Sequence, residues 1–220
     1  MPVLRLRQVH KTYPGPPPVE AIRGVDLDID PGEMVAIVGP SGSGKTTLLH
    51  LMGGLDRPSS GLVEINGVDV SRVSDRELSG LRAAKLGFVF QEFFLLAGVT
   101  ALDNVAQGLV YRAVPPRDRR KLAAVALEKV GLGDRMTHLS TRLSGGERQR
   151  VGIARAIVGD PAIVFADEPT GNLDSVTSEE IVRLLLDLNA GGSTIVVITH
   201  DLDLASRFPR RVSMRDGNLL

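Results

Sequence analysis

"MVAIVGPSGSGKTTLLHLM", residues 34–52, decides the fold. Met34 to Val38 are apolar without a break and end at Gly39, the pattern of a strand covered on both faces. Leu48, Leu51 and Met52 then recur at helical spacing until Gly53 and Gly54 weaken the helix end. The link between the two is "GPSGSGKT", Gly39 to Thr46, which fits G-x-x-x-x-G-K-[ST]. Glycines let such a loop curl until successive amide hydrogens point inward at a phosphate, and the helix N-terminus behind it adds a favourable dipole. Gly39, Ser41, Gly42, Ser43 and Gly44 would form the cradle. Lys45 would reach the β- and γ-phosphates, and the Thr46 hydroxyl, with Thr47 beside it, would ligate Mg2+. A glycine-rich turn with an incidental lysine has no reason to fall between a buried strand and a helix.

Working outward, 220 residues at 43% hydrophobic content can bury a real core, as one domain or a domain with a subdomain. Lys plus Arg and Asp plus Glu are both 26, so no bulk charge draws the chain to nucleic acid or to an anionic membrane surface. A phosphate ligand must therefore be held by local geometry. Cysteine is absent, which excludes disulfides, thiolate metal sites and cysteine nucleophiles. The opening "MPVLRLRQVHKTYPG" alternates and reads as a strand rather than as a secretion signal. No apolar run approaches the ~18 residues of a spanning helix, so direct membrane insertion is not expected.

The strand at Met34 has β structure before it: Val3, Leu4, Leu6 and Val9, a proline-rich turn from Pro14 to Pro18, then the alternating "VDLDID". After the first helix, "LVEINGVDV" carries Asn66-Gly67 between extended segments, a hairpin signal. The middle of the chain reads as helices over 75–85, 101–113 and 117–130, with Asp75, Thr100 and Asp118 as caps or first-turn acids and Gly131 as a stop. A further helix runs through Ile153 and Ile157 to Gly159. "AIVFADE" and "STIVVITH" are two more buried strands, joined by a helix on Ile181, Leu184, Leu185 and Leu188. Strand, helix and strand with short links predict right-handed crossovers in a parallel sheet.

"AIVFADE", Ala162 to Glu168, ends an apolar strand in two carboxylates. Beside a phosphate cradle, Asp167 is placed to hold Mg2+ and Glu168 to polarise an attacking water as general base. Without the cradle they would be two solvated acids at a strand end.

"LSGGE", Leu143 to Glu147, added to the phosphate loop and the acid-ended strand, makes the chain resemble the nucleotide-binding subunit of an ATP-binding cassette (ABC) transporter, from residue 3 to 220. The family's other marks follow in order. Tyr13 stands where an adenine-stacking aromatic is expected, Gln91 in "FVFQE" where the Q-loop is, Asp174 in "GNLD" at the D-loop, and His200 in "VITHD" as the switch histidine.

The resemblance implies an α/β P-loop NTPase fold: a mostly parallel central sheet, an N-terminal antiparallel β subdomain and an inserted α-helical subdomain. Residues 1–220 would be a single domain, with 1–90 and 159–220 as the core and 91–158 as the helical part carrying the signature. ATP and Mg2+ are the implied cofactors, with Thr46, Gln91 and Asp167 toward the metal and Glu168, Gln91 and His200 toward the reaction. Ser144, Gly145 and Gly146 would face the γ-phosphate held by a second chain, so ATP binding would close a homodimer with two equivalent sites.

A polytopic membrane subunit, or permease, would dock near Gln91 to Val105, where Phe93, Phe94, Leu95 and Leu96 form an apolar cluster. The chain would then work in the cytoplasm, peripheral on the inner face of the membrane. "ELSGLRAAKLGFVFQEFFLLAGVTALDNV" with "LSGGERQRVGIARAIV" looks like the branch serving lipoprotein release, macrolide or peptide export and a related cell-division pair. It departs from that branch at Glu92 and at Ala97-Gly98. A non-transport ATPase of the same fold acting on a division or cell-wall partner is the alternative. A P-loop kinase or a coiled-coil ATPase is disfavoured, for want of a phosphoacceptor site and of chain length.

Overall fold

The computed structural model describes residues 1–220. In chain order the strands are β1 (Leu4–Tyr13), β2 (Val19–Ile29), β3 (Met34–Val38), β4 (Ser60–Ile65), β5 (Val68–Asp69), β6 (Leu86–Val89), β7 (Ile163–Asp167), β8 (Ile195–Thr199), β9 (Arg210–Arg215) and β10 (Asn218–Leu219). The helices are α1 (Lys45–Met52), α2 (Asp75–Lys85), α3 (Ala101–Ala106), α4 (Pro116–Lys129), α5 (Gly145–Ile157), α6 (Ser175–Ala190) and α7 (Leu202–Ser206). A four-stranded antiparallel sheet, β2-β1-β4-β5, lies beside a six-stranded sheet, β10-β9-β3-β8-β7-β6, whose strands are parallel except for β10.

The unbroken apolar strands are explained by what covers them. In β3, Val35 and Ile37 pack into one core with α1 and the antiparallel sheet, while Met34, Ala36 and Val38 pack into a second with α3, α4, α5 and α6. β8 divides the same way, Val196 and Ile198 to the first core, Ile195 and Val197 to the second. A strand with a core on each side has no solvent face on which to alternate. The helices α3 to α5 share this second core with the sheet rather than building one of their own.

The end of α3 and the strands β6, β9 and β10 differ from the sequence reading. The helix expected over 101–113 stops at Ala106, with a single 3-10 turn at Gln107–Leu109. There Gly108 lies so close to α5 that a Cβ would stand 2.7 Å from the Arg155 carbonyl oxygen, so the turn has room for glycine alone. Helix α2, within residues 1–90, buries Leu78 in the core beneath the antiparallel sheet. β6, β9 and β10 were not foreseen: β6 is four residues containing a glycine, and β9, RRVSMR, is half arginine with only Val212 and Met214 apolar. Gly87 in β6 is required, since a Cβ would run into the Ala156 carbonyl oxygen of α5. Asn66-Gly67 makes the expected turn between β4 and β5, with Asn66 at φ 49° and Gly67 at φ 80°.

Candidate functional site

The ends of β3, β7 and β8 lie side by side, so the residues that follow them meet in one cleft of about 680 Å³. The loop after β3 is shaped by two close approaches. A Cβ on Gly39 would collide with the Met214 carbonyl oxygen, and one on Gly44, at φ 103°, would stand 2.6 Å from that of Ala21. Helix α1 then starts at Lys45 with no side-chain cap, whereas Ser74, Ser144 and Asp174 cap α2, α5 and α6. Its first amides therefore have no side-chain acceptor. Lys45 is buried, with its ammonium donating to the carbonyls of Gly39 (2.7 Å) and Pro40 (2.8 Å), so the loop is already wrapped around the charge. The Ser43 hydroxyl is buried without a partner.

Across the cleft stand Asp167, Glu168, Gln91 and His200. Burial holds the Asp167 carboxyl above its ordinary range, and the charge of Glu168 adds to this. Glu168 follows β7 at φ 44°, with its amide donating to the Ile198 carbonyl (2.9 Å). Its carboxylate accepts from the Thr199 hydroxyl (2.9 Å), the His200 amide (3.0 Å) and His200 Nδ1 (2.6 Å). The Gln91 side chain donates to Asn172 (3.2 Å) and packs against Gly171, where a Cβ would stand 2.8 Å from Gln91 Nε2.

The remaining sequence candidates lie elsewhere. Ser144, Gly145, Gly146 and Asp174 line a different recess, of about 370 Å³, that shares no residue with the cleft. There the Ser144 hydroxyl accepts from the Glu147 amide (3.2 Å), and the amides of Gly145 and Gly146 open α5. Backbone and side-chain bonds to Ser144 hold the Glu147 carboxyl below its ordinary range. Asp174 caps α6 through the amides of Val176 and Thr177, and its bond with the Thr177 hydroxyl holds its pKa down. Tyr13 is not among the cleft's lining residues. Its hydroxyl donates to Asp56 (3.0 Å), and Lys11 Nζ sits 5.0 Å from its ring centre.

Sequence reasoning missed the far wall, where Val19, Glu20, Arg23, Asp216 and Gly217 line the cleft. "DG" at 216–217 was a legible hairpin signal. Nothing in the sequence says that the strand before it, β9, delivers Met214 onto Gly39.

A parallel sheet whose strand ends gather a phosphate loop and paired acids defines a P-loop nucleoside triphosphatase. The chain belongs to the ABC transporter family, whose model matches residues 22–171, and it is an ATP hydrolase. It is 47% identical over 99% of its length to the lipoprotein-releasing system ATP-binding protein LolD of Alcanivorax borkumensis, covering 96% of that protein. It is also 47% identical, over all of its length, to the macrolide export ATP-binding/permease protein MacB 1/2 of Paracoccus denitrificans, of which it spans 33%. Among solved structures it resembles the dimeric post-hydrolysis state of the ATP-binding cassette MJ0796 bound to ADP and Pi, at TM-score 0.87 and 42% identity, with 98% of this chain and 96% of that one covered.

Proposed function

We propose that the chain is the motor subunit of an export or extrusion transporter, and that its ATP is sandwiched between the phosphate loop of one copy and "LSGGE" of another. The observation that carries this reading is the separation of the two anion-binding features into recesses with no residue in common. Separate recesses on one copy suit a head-to-tail pair, in which the cleft of one chain faces the signature recess of the other. The relatedness to a cassette solved as a dimer supports the same arrangement.

In this reading the cradle amides and Lys45 hold the β- and γ-phosphates, Glu168 takes a proton from the attacking water, and His200 touches the γ-phosphate. Thr46, Asp167 and Gln91 offer a hydroxyl, a carboxylate and an amide oxygen, a hard-oxygen set that suits Mg2+. Asp167 fits it electrostatically as well, because a divalent cation offsets both the burial and the Glu168 charge that press on its carboxyl. The metal would supply charge neutralisation at the phosphates. Tyr13 would offer a ring face to adenine while its hydroxyl stays on Asp56.

The membrane partner is proposed to dock where 91–158, taken as the helical unit, meets the core. Phe94 is 60% and Leu96 50% exposed, so two of the four apolar residues at 93–96 face solvent. Phe94 also lines a groove of about 560 Å³ that continues past the expected stretch to Ala83, Gln107 and Tyr111, the last 87% exposed. The MacB relative, named as ATP-binding and permease in one chain, supports a permease partner and a place on the inner membrane face. No helix is long and apolar enough to cross a membrane.

The test is Lys45→Ala. Removing the ammonium loses a phosphate contact and the two carbonyl bonds that wrap the loop. ATP affinity measured by calorimetry is expected to fall by about tenfold or more, the worth of one charge-assisted bond. Unchanged affinity would remove the phosphate-loop assignment.

A further inference from the structure

We propose that Thr199 is a positioning residue for ATP hydrolysis, holding the Glu168 carboxylate in place while His200 moves. The inference rests on the reading of Glu168 as general base. Of the bonds to that carboxylate, one comes from a movable group and two from fixed ones. The His200 side chain is 70% exposed and reaches Glu168 only through its ring. Thr199 is fully buried at the last position of β8, paired with Val38 in the sheet, and its β-branched side chain has little rotamer freedom. The His200 amide is likewise part of the backbone leaving the strand.

The direction of the Thr199 hydroxyl is set from behind. Its oxygen accepts from the Asp201 amide (3.1 Å), so the proton is left for Glu168 Oε2 at 2.9 Å. An amide donating into a hydroxyl that donates into a carboxylate polarises along the chain, which strengthens the last bond. Glu168 needs such support because its φ of 44° is a conformation that a non-glycine residue keeps only when its surroundings over-determine it. When the His200 ring turns toward a γ-phosphate, the carboxylate loses its shortest bond. Thr199 and the His200 amide then remain to keep it aimed, in a geometry where small displacements are costly in rate.

Thr199→Val keeps the β-branch and removes the hydroxyl; Thr199→Ser keeps the hydroxyl. The valine variant is expected to lose about tenfold in kcat, the scale of one hydrogen bond to a charged group, with ATP affinity and ATP-dependent dimerisation unchanged. The serine variant stays within about twofold. Combined with Glu168→Gln, Thr199→Val adds no further loss to the single-turnover rate, because both changes act through one carboxylate. Wild-type kcat in Thr199→Val beside an inactive Glu168→Gln overturns the inference and leaves the base assignment standing. A parallel fall in affinity or dimerisation, or an undiminished loss in the Glu168→Gln background, also overturns it by showing a general structural role. An active Glu168→Gln overturns the base assignment itself, and the inference with it.

Discussion

Glu168→Gln should bind Mg-ATP as tightly as the parent while its phosphate release falls by roughly 10²- to 10⁴-fold, the worth of a general base. The amide has nearly the shape of the carboxylate; with its oxygen on the His200 amide, its NH2 can donate to the Thr199 hydroxyl in place of the bond that the carboxylate accepted there, so the side chain is still held. What it loses is the capacity to take a proton. Binding is protected by an electrostatic consequence next door. Asp167 is held above its ordinary range first by burial and second by the Glu168 charge, and removing that charge makes Asp167 easier to ionise. The metal-facing acid is thereby favoured, and ATP is bound but not spent. Light scattering with and without Mg-ATP should show a dimer only with nucleotide. Full activity would take Glu168 out of its role, and a monomer under both conditions would mean either that closure needs the membrane partner or that the signature does not act across two chains.

The phosphate loop was legible because its requirements are local. A cradle needs glycine at set spacing, a strand before it and a helix after it, and all of these are contiguous from Met34 to Met52. The buried strands β7 and β8 were legible for the same reason, since a run of four apolar residues, 163–166 or 195–198, has few other uses between turns. β6 and β9 were not, because each depends on a neighbour far along the chain. Gly87 is explained only by Ala156, and the arginines of β9 sit on a strand whose buried residues, Val212 and Met214, are too few to show a period. Within the site, Glu168 and His200 could be singled out by residue type, but their mutual bond could not, because β7 and β8 are joined through a whole helix. Thr199 was invisible as a functional residue for a related reason: a β-branched residue at a strand end looks like strand. Tyr13 shows the opposite case, a residue that suits a role by type and lies outside the cleft's lining, with its hydroxyl on Asp56.

Two inactive variants should restore activity when mixed. Lys45→Ala removes the phosphate loop's charge and leaves "LSGGE" intact. Ser144→Arg crowds the signature recess and leaves the loop intact, at the cost of a helix cap worth about 1 kcal/mol, which a domain of this size tolerates. As homodimers each variant has two damaged composite sites. In a mixed dimer, one site combines both lesions and the other combines neither, because the intact loop of one chain meets the intact signature of its partner. Equal mixing makes about half of the dimers mixed, each with one sound site of two, so about a quarter of the parental rate should return. If each chain instead completed its own site, every site in the mixture would carry a lesion and the rate would stay at zero. The doubly substituted chain mixed with the parent supplies the control, since its mixed dimers have one lesion in each composite site and should be silent. Steady-state phosphate release across a titration of one variant into the other distinguishes the two arrangements by the presence or absence of a maximum near equal proportions. That maximum follows from the geometry: the cleft at Lys45 and the recess at Ser144 have no lining residue in common, so the chain that supplies one feature need not be the chain that supplies the other.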